Sequence, residues 1–179
     1  ERPIVLALPR GGVPVALPVA ARLGAPLDVL LVRKLGTPGQ QELAMGAIAS
    51  GGVRVINETV VRALDISQHA IDEETDLQRR ELERRERLYR QGHAPPEPAG
   101  RTVILVDDGL ATGSTMLAAV RAARALGARR IVVAVPVGPP DTLERLAREA
   151  DEVICPLTPA HLQSVGEWYE EFPQVSDEE

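Results

Sequence analysis

Hydrophobic residues along this chain form short apolar runs that alternate with longer stretches of helical period. The runs cover residues 4–8, 27–32, 102–106, 130–135 and 152–155. Short runs of this kind, bounded by Gly, Pro or polar residues, are typical of strands buried on both faces of a sheet. Helical patterns separate most of these strands at residues 14–23, 114–126 and 141–150. The alternation predicts an α/β fold with an open, mainly parallel sheet flanked by helices.

The middle of the chain follows a different pattern. Residues 47–49 and 53–56 flank Gly51-Gly52, which predicts a β-hairpin. The following charged stretch contains neither glycine nor proline, which predicts one long helix at about residues 67–91. One arc of this helix carries its apolar residues, namely Ala70, Ile71, Leu77, Leu82, Leu88 and Tyr89. The interleaved Arg and Glu residues favour a solvated face with ion pairs over a nucleic-acid surface.

Composition and charge exclude several classes of function. A length of 179 residues is enough for one domain with an appendage, and the net charge of −6 argues against a general nucleic-acid binder. No apolar run is long enough for a transmembrane helix, so we expect no membrane partner. One cysteine, Cys155, excludes an intramolecular disulfide framework or a cysteine-rich metal site. Without a charged-then-apolar leader, the expected location is the cytoplasm.

Two features of the composition point to particular positions. Of the 20 basic residues, 19 are arginine and the remaining one is Lys34. The chain has four aromatic residues, and Trp168, Tyr169 and Phe172 lie within five positions near the C-terminus. The core must therefore be packed by aliphatic side chains. The aromatic cluster needs an explanation of its own.

The segment 103–115, with the sequence VILVDDGLATGST, joins an apolar strand to a helix through two carboxylates. Open parallel sheets bind ligands beyond the carboxyl ends of their strands, which is where Asp107 and Asp108 are expected to lie. The backbone N–H groups of the helix start attract an anion, and Gly113 permits its close approach. The side chains of Thr112, Ser114 and Thr115 add hydroxyl donors for the same anion. Carboxylates beside an anion site fit a phosphorylated sugar.

Other interpretations of this segment are weaker. A Walker loop requires a lysine after its last glycine, and none follows Gly113; the sequence Arg10-Gly11-Gly12-Val13 lacks the spacing of a dinucleotide fingerprint. The remaining alternative is an ordinary N-capped helix with Thr112 or Ser114 as the cap. Such a cap does not explain paired aspartates at the end of a strand.

The segment resembles the binding motif for 5-phosphoribosyl pyrophosphate (PRPP) in type I phosphoribosyltransferases. That motif has four apolar residues, two acidic residues and a small-residue loop with Thr-Gly, and the order of the other elements also matches over most of the chain. The resemblance implies that Asp107 and Asp108 hold the ribose 2′- and 3′-hydroxyls as catalytic residues. It also implies a 5′-phosphate loop formed by Ala111, Thr112, Gly113, Ser114 and Thr115.

The same family has a pyrophosphate loop after its first strand, where this chain has Pro9-Arg10-Gly11-Gly12. Arg10 offers a charged fork for phosphate oxygens, and Gly11 and Gly12 expose backbone N–H groups; a plain turn is the alternative. The family also places basic residues at the pyrophosphate where Arg33 and Lys34 stand. An ammonium and a guanidinium act differently at a phosphate, which favours a role for the lone lysine over a surface position.

The implied reaction displaces pyrophosphate from C1 of PRPP with a nitrogen nucleophile through an oxocarbenium-like state. Arg10 and Lys34 would act catalytically by neutralising the leaving group. The cofactor implied is Mg²⁺, which keeps its waters and substrate phosphates as ligands and meets Asp107 and Asp108 indirectly through water. The partners implied are PRPP and a small base or amine, with a homodimer expected and no nucleic acid.

The resemblance also suggests how the chain is divided. Residues 1–156 form the α/β core, with a flexible loop and hairpin at about 33–57, and residues 157–179 form a hood and an acidic tail. Within the first region, residues 35–42 resemble the mobile loop that closes over the reaction centre. The tail at 176–179 is expected to be disordered.

The acceptor is left open. In the family it resembles, enzymes for 6-oxopurines carry an aspartate where this chain has Ala111. The sequence of the loop at residues 110–113 is more similar to that of the adenine enzymes. Candidates for a base pocket are Leu110, Glu42, Trp168 and Tyr169. Glu42 is a general base or an exposed charge, and the aromatic residues either stack on a base or anchor a C-terminal helix. A PRPP- or nucleotide-sensing regulator and a partner-binding domain with a vestigial site are the alternative functions.

Overall fold

The computed structural model describes residues 2–176, so most of the acidic tail lies outside the described residues. The strands are β1 (Ile4–Ala7), β2 (Leu27–Val29), β3 (Val32–Thr37), β4 (Gln40–Ala49), β5 (Val53–Ile56), β6 (Thr102–Val106), β7 (Arg130–Ala134) and β8 (Glu152–Ile154). The helices are α1 (Gly12–Leu23), α2 (Glu58–Ala63), α3 (Gln68–Arg90), α4 (Ser114–Ala125) and α5 (Pro140–Ala147). None of the helices described between residues 2 and 176 is long and apolar enough to cross a membrane.

Five strands form a parallel sheet in the order β2-β1-β6-β7-β8, which confirms the predicted fold class. The register pairs Ala7 of β1 with Val29 on one side and with Val106 on the other. The carboxyl ends of these three strands are therefore level. The loops that follow β1 and β6 consequently meet at one edge of the sheet, where open α/β folds bind ligands.

An aliphatic core lies between this sheet and helix α4. Leu6, Leu105 and Ile131 from three neighbouring strands pack against Met116 and Val120 of α4. The scarcity of aromatic residues is thus compensated by closely packed branched and small side chains, as the composition predicts.

The apolar run at 27–32 is divided between two sheets. Its first part forms β2 in the parallel sheet, whereas Val32 begins β3 in a separate antiparallel sheet of order β3-β4-β5. The predicted hairpin at Gly51-Gly52 is confirmed as the turn between β4 and β5. Ser50 fixes the change of sheet, because its amide donates to the carbonyl of Leu31 at 2.9 Å and its hydroxyl accepts from the amide of Leu31 at 3.2 Å.

The structure gives regular secondary structure to residues 35–42, the segment that resembles a mobile loop. These residues form the ends of β3 and β4, joined by a tight turn at Pro38-Gly39 in which Gly39 has φ +78°. The positive φ suits glycine, and Thr37 closes the turn by donating to the carbonyl of Gln40 at 2.8 Å. The glycine and proline of this segment therefore form the tight turn of a regular hairpin.

Helix α3 confirms the long charged helix, and its first turn is capped by the hydroxyl of Ser67, which accepts from the amide of Ala70 at 3.2 Å. Its buried stripe is narrower than the predicted arc, because the helix packs mainly on β3 and β4. Leu77 is accordingly 59% exposed, and Leu88 is also exposed. The buried Arg90 ends the helix by donating to the carbonyl of Val29 at 2.7 Å, which ties α3 to the parallel sheet.

Candidate active site

Two adjacent carboxylates follow β6 directly. The amide of Asp108 donates to Oδ1 of Asp107 at 2.9 Å, and both side chains are half-buried. Burial first, and then the neighbouring negative charge of Asp108, raise the pKa of Asp107 to about 7. Burial also raises the pKa of Asp108. Because the ionised pair is costly at this position, a ligand that brings hydrogen-bond donors or positive charge is favoured here.

Glycines bring the loop after β1 against these carboxylates. A Cβ added to Gly11 would lie 1.9 Å from Oδ2 of Asp108, and one added to Gly12 would lie 2.6 Å from the carbonyl oxygen of Val106. The preceding Pro9-Arg10 peptide is cis. The structure thus brings the predicted pyrophosphate loop and the predicted ribose carboxylates together. The backbone contact requires glycine at position 12, and a side chain at position 11 would displace the carboxylate of Asp108.

The predicted 5′-phosphate loop turns directly into α4. Gly113 precedes the helix with φ +70°, the left-handed conformation that glycine adopts readily. Just before this loop, the amide of Leu110 donates to the carbonyl of Val137 at 2.9 Å, which joins the loop to the segment after β7. Within the loop, the hydroxyls of Thr112 and Ser114 are 3.0 Å apart. The first N–H groups of a helix lack partners within it, so this loop can bind an anion.

The basic pair Arg33-Lys34 is divided between two surroundings. Lys34 donates from Nζ to the hydroxyl of Ser114 at 3.2 Å, so the lone ammonium lies at the 5′-phosphate loop. Arg33 instead donates from Nε to the side chain of Gln78 on α3 at 2.9 Å, and burial together with nearby Arg85 lowers its pKa. Successive side chains of a strand point to opposite faces, which explains why the two neighbours diverge.

A cavity of about 610 Å³, the central cavity, opens beside Asp108. Arg10 and Gly11 line one side of it, and Tyr169 and Phe172 line another. The remaining lining residues are Pro9, Pro14, Val15, Glu171, Pro173, Gln174 and Val175. The cavity therefore joins the predicted pyrophosphate loop to the C-terminal part of the chain.

Residues 165–175, the C-terminal strap, are held to the segment that carries the aspartates. The hydroxyl of Tyr169 donates to the carbonyl of Asp108 at 2.5 Å, and its ring contacts Phe172 with centroids 5.0 Å apart. A Cβ added to Gly109 would lie 2.7 Å from Val165. Burial, Asp108 and Asp107 raise the pKa of Tyr169 to about 12, so its hydroxyl remains a donor at neutral pH.

The structure separates the four base-pocket candidates. Tyr169 lines the central cavity, whereas Trp168 is 43% exposed and lies outside its lining. Leu110 is corrected from a pocket residue to a core residue, because it is 2% exposed and packs in the cluster under the sheet. Glu42 is an exposed residue of β4 and is absent from the described lining of this cavity.

The predicted anchoring helix is absent from the described part of the C-terminus. A single 3-10 turn, Gly166–Trp168, is the regular structure that follows β8 there. Phe172, which the sequence placed in the aromatic cluster, lines the central cavity with Tyr169. Sequence reasoning missed Thr142 and Arg145, which contact the 5′-phosphate loop from about 30 positions away along the chain without any local signal.

The donor set suits a magnesium ion that arrives with its substrate. Among residues 2–176 no group of three or more His, Cys, Asp and Glu side chains could hold a metal ion. Asp107 and Asp108 offer hard oxygen ligands, but two carboxylates do not form a cage. Mg²⁺ commonly keeps several waters and uses substrate phosphates, so the residues present fit that mode.

Solved structures share this fold. The crystal structure of TT1426 from Thermus thermophilus is 46% identical, with a TM-score of 0.93, over 99% of this chain and 84% of that one. The APRTase from Giardia lamblia complexed with 9-deazaadenine is 16% identical, with a TM-score of 0.51, over 89% of this chain and 71% of that one. The second likeness shows the fold alone.

Sequence comparisons identify the family. Two curated proteins from Mycobacterium tuberculosis strains, both named "Putative phosphoribosyl transferase", are 52% identical over 176 residues. These residues are 98% of this chain and 40% of those proteins, so the chain spans less than half the length of these relatives. The family model described as the phosphoribosyl transferase domain matches residues 1–170. The chain therefore belongs to the phosphoribosyl transferase domain family, as its strand-end aspartates and Thr-Gly loop predicted.

Proposed function

We propose that this protein transfers the 5-phosphoribosyl group of PRPP to a nitrogen nucleophile and releases pyrophosphate. The observation that carries the proposal is the convergence of three elements at one edge of the sheet. The aspartates after β6, the glycine loop after β1 and the loop before α4 surround the site next to the central cavity. A ribose with phosphates at both ends has the chemistry that these elements match.

Each element would bind a different part of PRPP. The carboxylates of Asp107 and Asp108 accept hydrogen bonds from the ribose hydroxyls. The N–H groups of residues 111–115 and the hydroxyl of Ser114 bind the 5′-phosphate, with the ammonium of Lys34 beside them. Contact of Lys34 with the pyrophosphate, which the family resemblance implies, requires its ammonium to leave Ser114.

The chemical step breaks the bond between C1 and the pyrophosphate oxygen and forms a bond from C1 to nitrogen. Arg10 and the N–H group of Gly11 stabilise the charge that collects on the leaving group, whereas the N–H of Gly12 already donates to the carbonyl of Leu8 at 3.0 Å. The aspartates hold the ribose while positive charge develops on the sugar ring. When bound, Mg²⁺ would add positive charge at the pyrophosphate, with Asp107 and Asp108 holding it through water.

The walls of the central cavity support a planar nitrogenous acceptor. The rings of Tyr169 and Phe172 offer flat apolar surfaces, and the amide of Gln174 offers both a donor and an acceptor. Ala111 stands where 6-oxopurine enzymes carry an aspartate, which argues against that subgroup. The acceptor we propose is therefore a base or amine outside the 6-oxopurines.

Pyrophosphate release tests the proposal. The protein is mixed with PRPP and Mg²⁺ and offered a panel of purines, pyrimidines and amines, and PRPP binding is measured separately by calorimetry. We expect saturable release with at least one acceptor, abolished in Asp107→Asn/Asp108→Asn. Failure to bind PRPP would overturn the proposal. Tight binding without release from any acceptor would favour a PRPP-sensing regulator instead.

A further inference from the structure

The 5′-phosphate loop is held from its carbonyl side by helix α5. The hydroxyl of Thr142 donates to the carbonyl of Ala111 at 3.2 Å, and the guanidinium of Arg145 donates to the carbonyl of the next residue, Thr112. Gly113 packs directly against the same helix, because a Cβ added there would lie 2.4 Å from Cγ2 of Thr142. Three consecutive loop residues are thus seated on one face of α5.

Peptide geometry turns these contacts into a direction for the opposite face of the loop. In a planar trans peptide, the carbonyl of one residue and the N–H of the next point in opposite directions. Holding the carbonyls of Ala111 and Thr112 therefore directs the N–H groups of Thr112 and Gly113 away from α5. A cation on a peptide carbonyl also polarises that peptide and strengthens its N–H as a donor.

We propose that Arg145 and Thr142 are positioning residues that fix and polarise the N–H groups of the 5′-phosphate loop. The inference rests on the proposed function, because it takes the 5′-phosphate of PRPP as the ligand of this loop. Neither residue belongs to the motif that identified the loop, and both come from the helix after β7. Their effect is on affinity for the phosphate end of the sugar, at a distance from the bond that breaks.

Burial separates the contributions of the two residues. Thr142 is 3% exposed and belongs to the packing of α5, whereas Arg145 is exposed at the edge of a second cavity of about 720 Å³, with His161 and Gln163. Removing the Arg145 side chain should therefore leave the fold intact. Arg148, an exposed arginine one turn further along, is a matched control for the loss of a positive charge.

Calorimetric titration with ribose 5-phosphate and, separately, with pyrophosphate and Mg²⁺ tests the proposal. Arg145→Ala should weaken ribose 5-phosphate binding about tenfold, the factor that corresponds to ~1.4 kcal/mol. Pyrophosphate binding should stay within about twofold of the wild type, since α5 contacts the 5′-phosphate loop and not the pyrophosphate loop. Arg145→Lys keeps the charge and should recover part of the loss, and Arg148→Ala should bind both ligands like the wild type.

Substitutions at Thr142 separate hydrogen bonding from packing. Thr142→Val keeps the shape and removes the donor, so it should weaken ribose 5-phosphate binding several-fold, whereas Thr142→Ser keeps the donor and should bind nearly as the wild type does. In steady-state assays Arg145→Ala should raise the KM for PRPP more than it lowers kcat.

Two results would overturn the proposal while leaving the proposed function standing. One is wild-type affinity for ribose 5-phosphate in Arg145→Ala and Thr142→Val. The other is an equal loss for pyrophosphate, or the same loss in Arg148→Ala, which would show a general charge effect. A wild-type protein that binds neither PRPP nor ribose 5-phosphate would instead contradict the proposed function itself.

Discussion

The two sides of the central cavity are built differently. The segment that carries Asp107 and Asp108 continues a buried strand that is paired on both sides, by β1 and by β7. The C-terminal strap opposite has one short 3-10 turn and is held by the hydroxyl of Tyr169 and by the packing of Val165 on Gly109. Phe172 of the strap is 44% exposed. The side that carries Asp107 and Asp108, the fixed side, is part of the sheet, whereas the C-terminal strap is attached to it by few contacts.

This difference fits the division of labour in the proposed reaction. PRPP has two charged ends, and its C1 becomes carbocation-like in the transition state, so its groups need fixed partners. An acceptor has to enter and a product has to leave past the strap, which favours a wall held by few contacts. The fixed side would therefore set the reaction, and the strap would set which acceptor is used.

The largest effect should come from the fixed side. Asp107→Asn with Asp108→Asn replaces both charged acceptors of the ribose hydroxyls by neutral amides, and we expect PRPP affinity to fall by about 100-fold or more, as two charge-assisted hydrogen bonds are lost. Calorimetry with PRPP and Mg²⁺ measures this. The variant should stay folded by circular dichroism, since replacing ionised carboxylates at a half-buried site relieves repulsion. Unchanged affinity would contradict the site assignment.

A second substitution on the fixed side acts by steric clash. Gly11→Ala places a methyl group 1.9 Å from the present position of Oδ2 of Asp108, so the loop or the carboxylate must move. We expect kcat/KM for PRPP to fall about 10- to 100-fold, because misplacement by about 1 Å costs this much in a positioned site. Gly52→Ala, at the turn between β4 and β5 where φ is +77° and a Cβ would meet nothing within 4 Å, is the control; it strains the backbone and should cost stability but retain catalysis. Equal activity in both variants would show that the close approach is unimportant.

The same contrast explains what the sequence could predict. The apolar runs and the segment around Asp107 and Asp108 follow from local pattern, because a buried strand, paired carboxylates and a Thr-Gly turn are contiguous in the chain. The strand ends and tight turn at residues 35–42 could not be predicted in the same way, since glycine and proline are equally common in tight turns and in loops. Local composition does not separate these two outcomes.

Contacts between distant parts of the chain account for the rest. Nothing near Arg145 shows that it reaches the carbonyl of Thr112, and nothing near Tyr169 shows that its hydroxyl meets Asp108. Arg33 and Lys34 looked like one basic pair, but the alternation of strand side chains sends one to α3 and the other to Ser114. These assignments depend on how the helices and the strap are seated on the sheet.

A smaller effect is expected when the strap is loosened. Tyr169→Phe keeps the ring against Phe172 and removes the hydrogen bond to the carbonyl of Asp108, which should cost about 1 kcal/mol of attachment. Activity with the preferred acceptor should fall about three- to tenfold in kcat/KM, mainly through the acceptor KM, while PRPP affinity changes little. Trp168→Phe alters an exposed residue outside the cavity and should behave as the wild type. A loss confined to PRPP binding would contradict the division between the two sides.

The pH dependence of stability also separates the two sides. The pKa of Asp107 is about 7 in the folded chain and near 3.8 when unfolded, so between about pH 4 and pH 7 the folded chain holds a proton that the unfolded chain has lost. The free energy of unfolding should therefore decrease as the pH rises through this window and level off above it. Asp107→Asn removes the Asp107 contribution to this dependence, so its stability relative to the wild type should be greater at pH 8 than at pH 5 by about 2 to 3 kcal/mol, measured by urea unfolding. Glu171 is an exposed carboxylate of the strap, so Glu171→Gln should leave this pH dependence of the stability in place. If the stability of Asp107→Asn relative to the wild type is the same at both pH values, the half-buried carboxylate of Asp107 does not lower the stability of the folded chain at neutral pH.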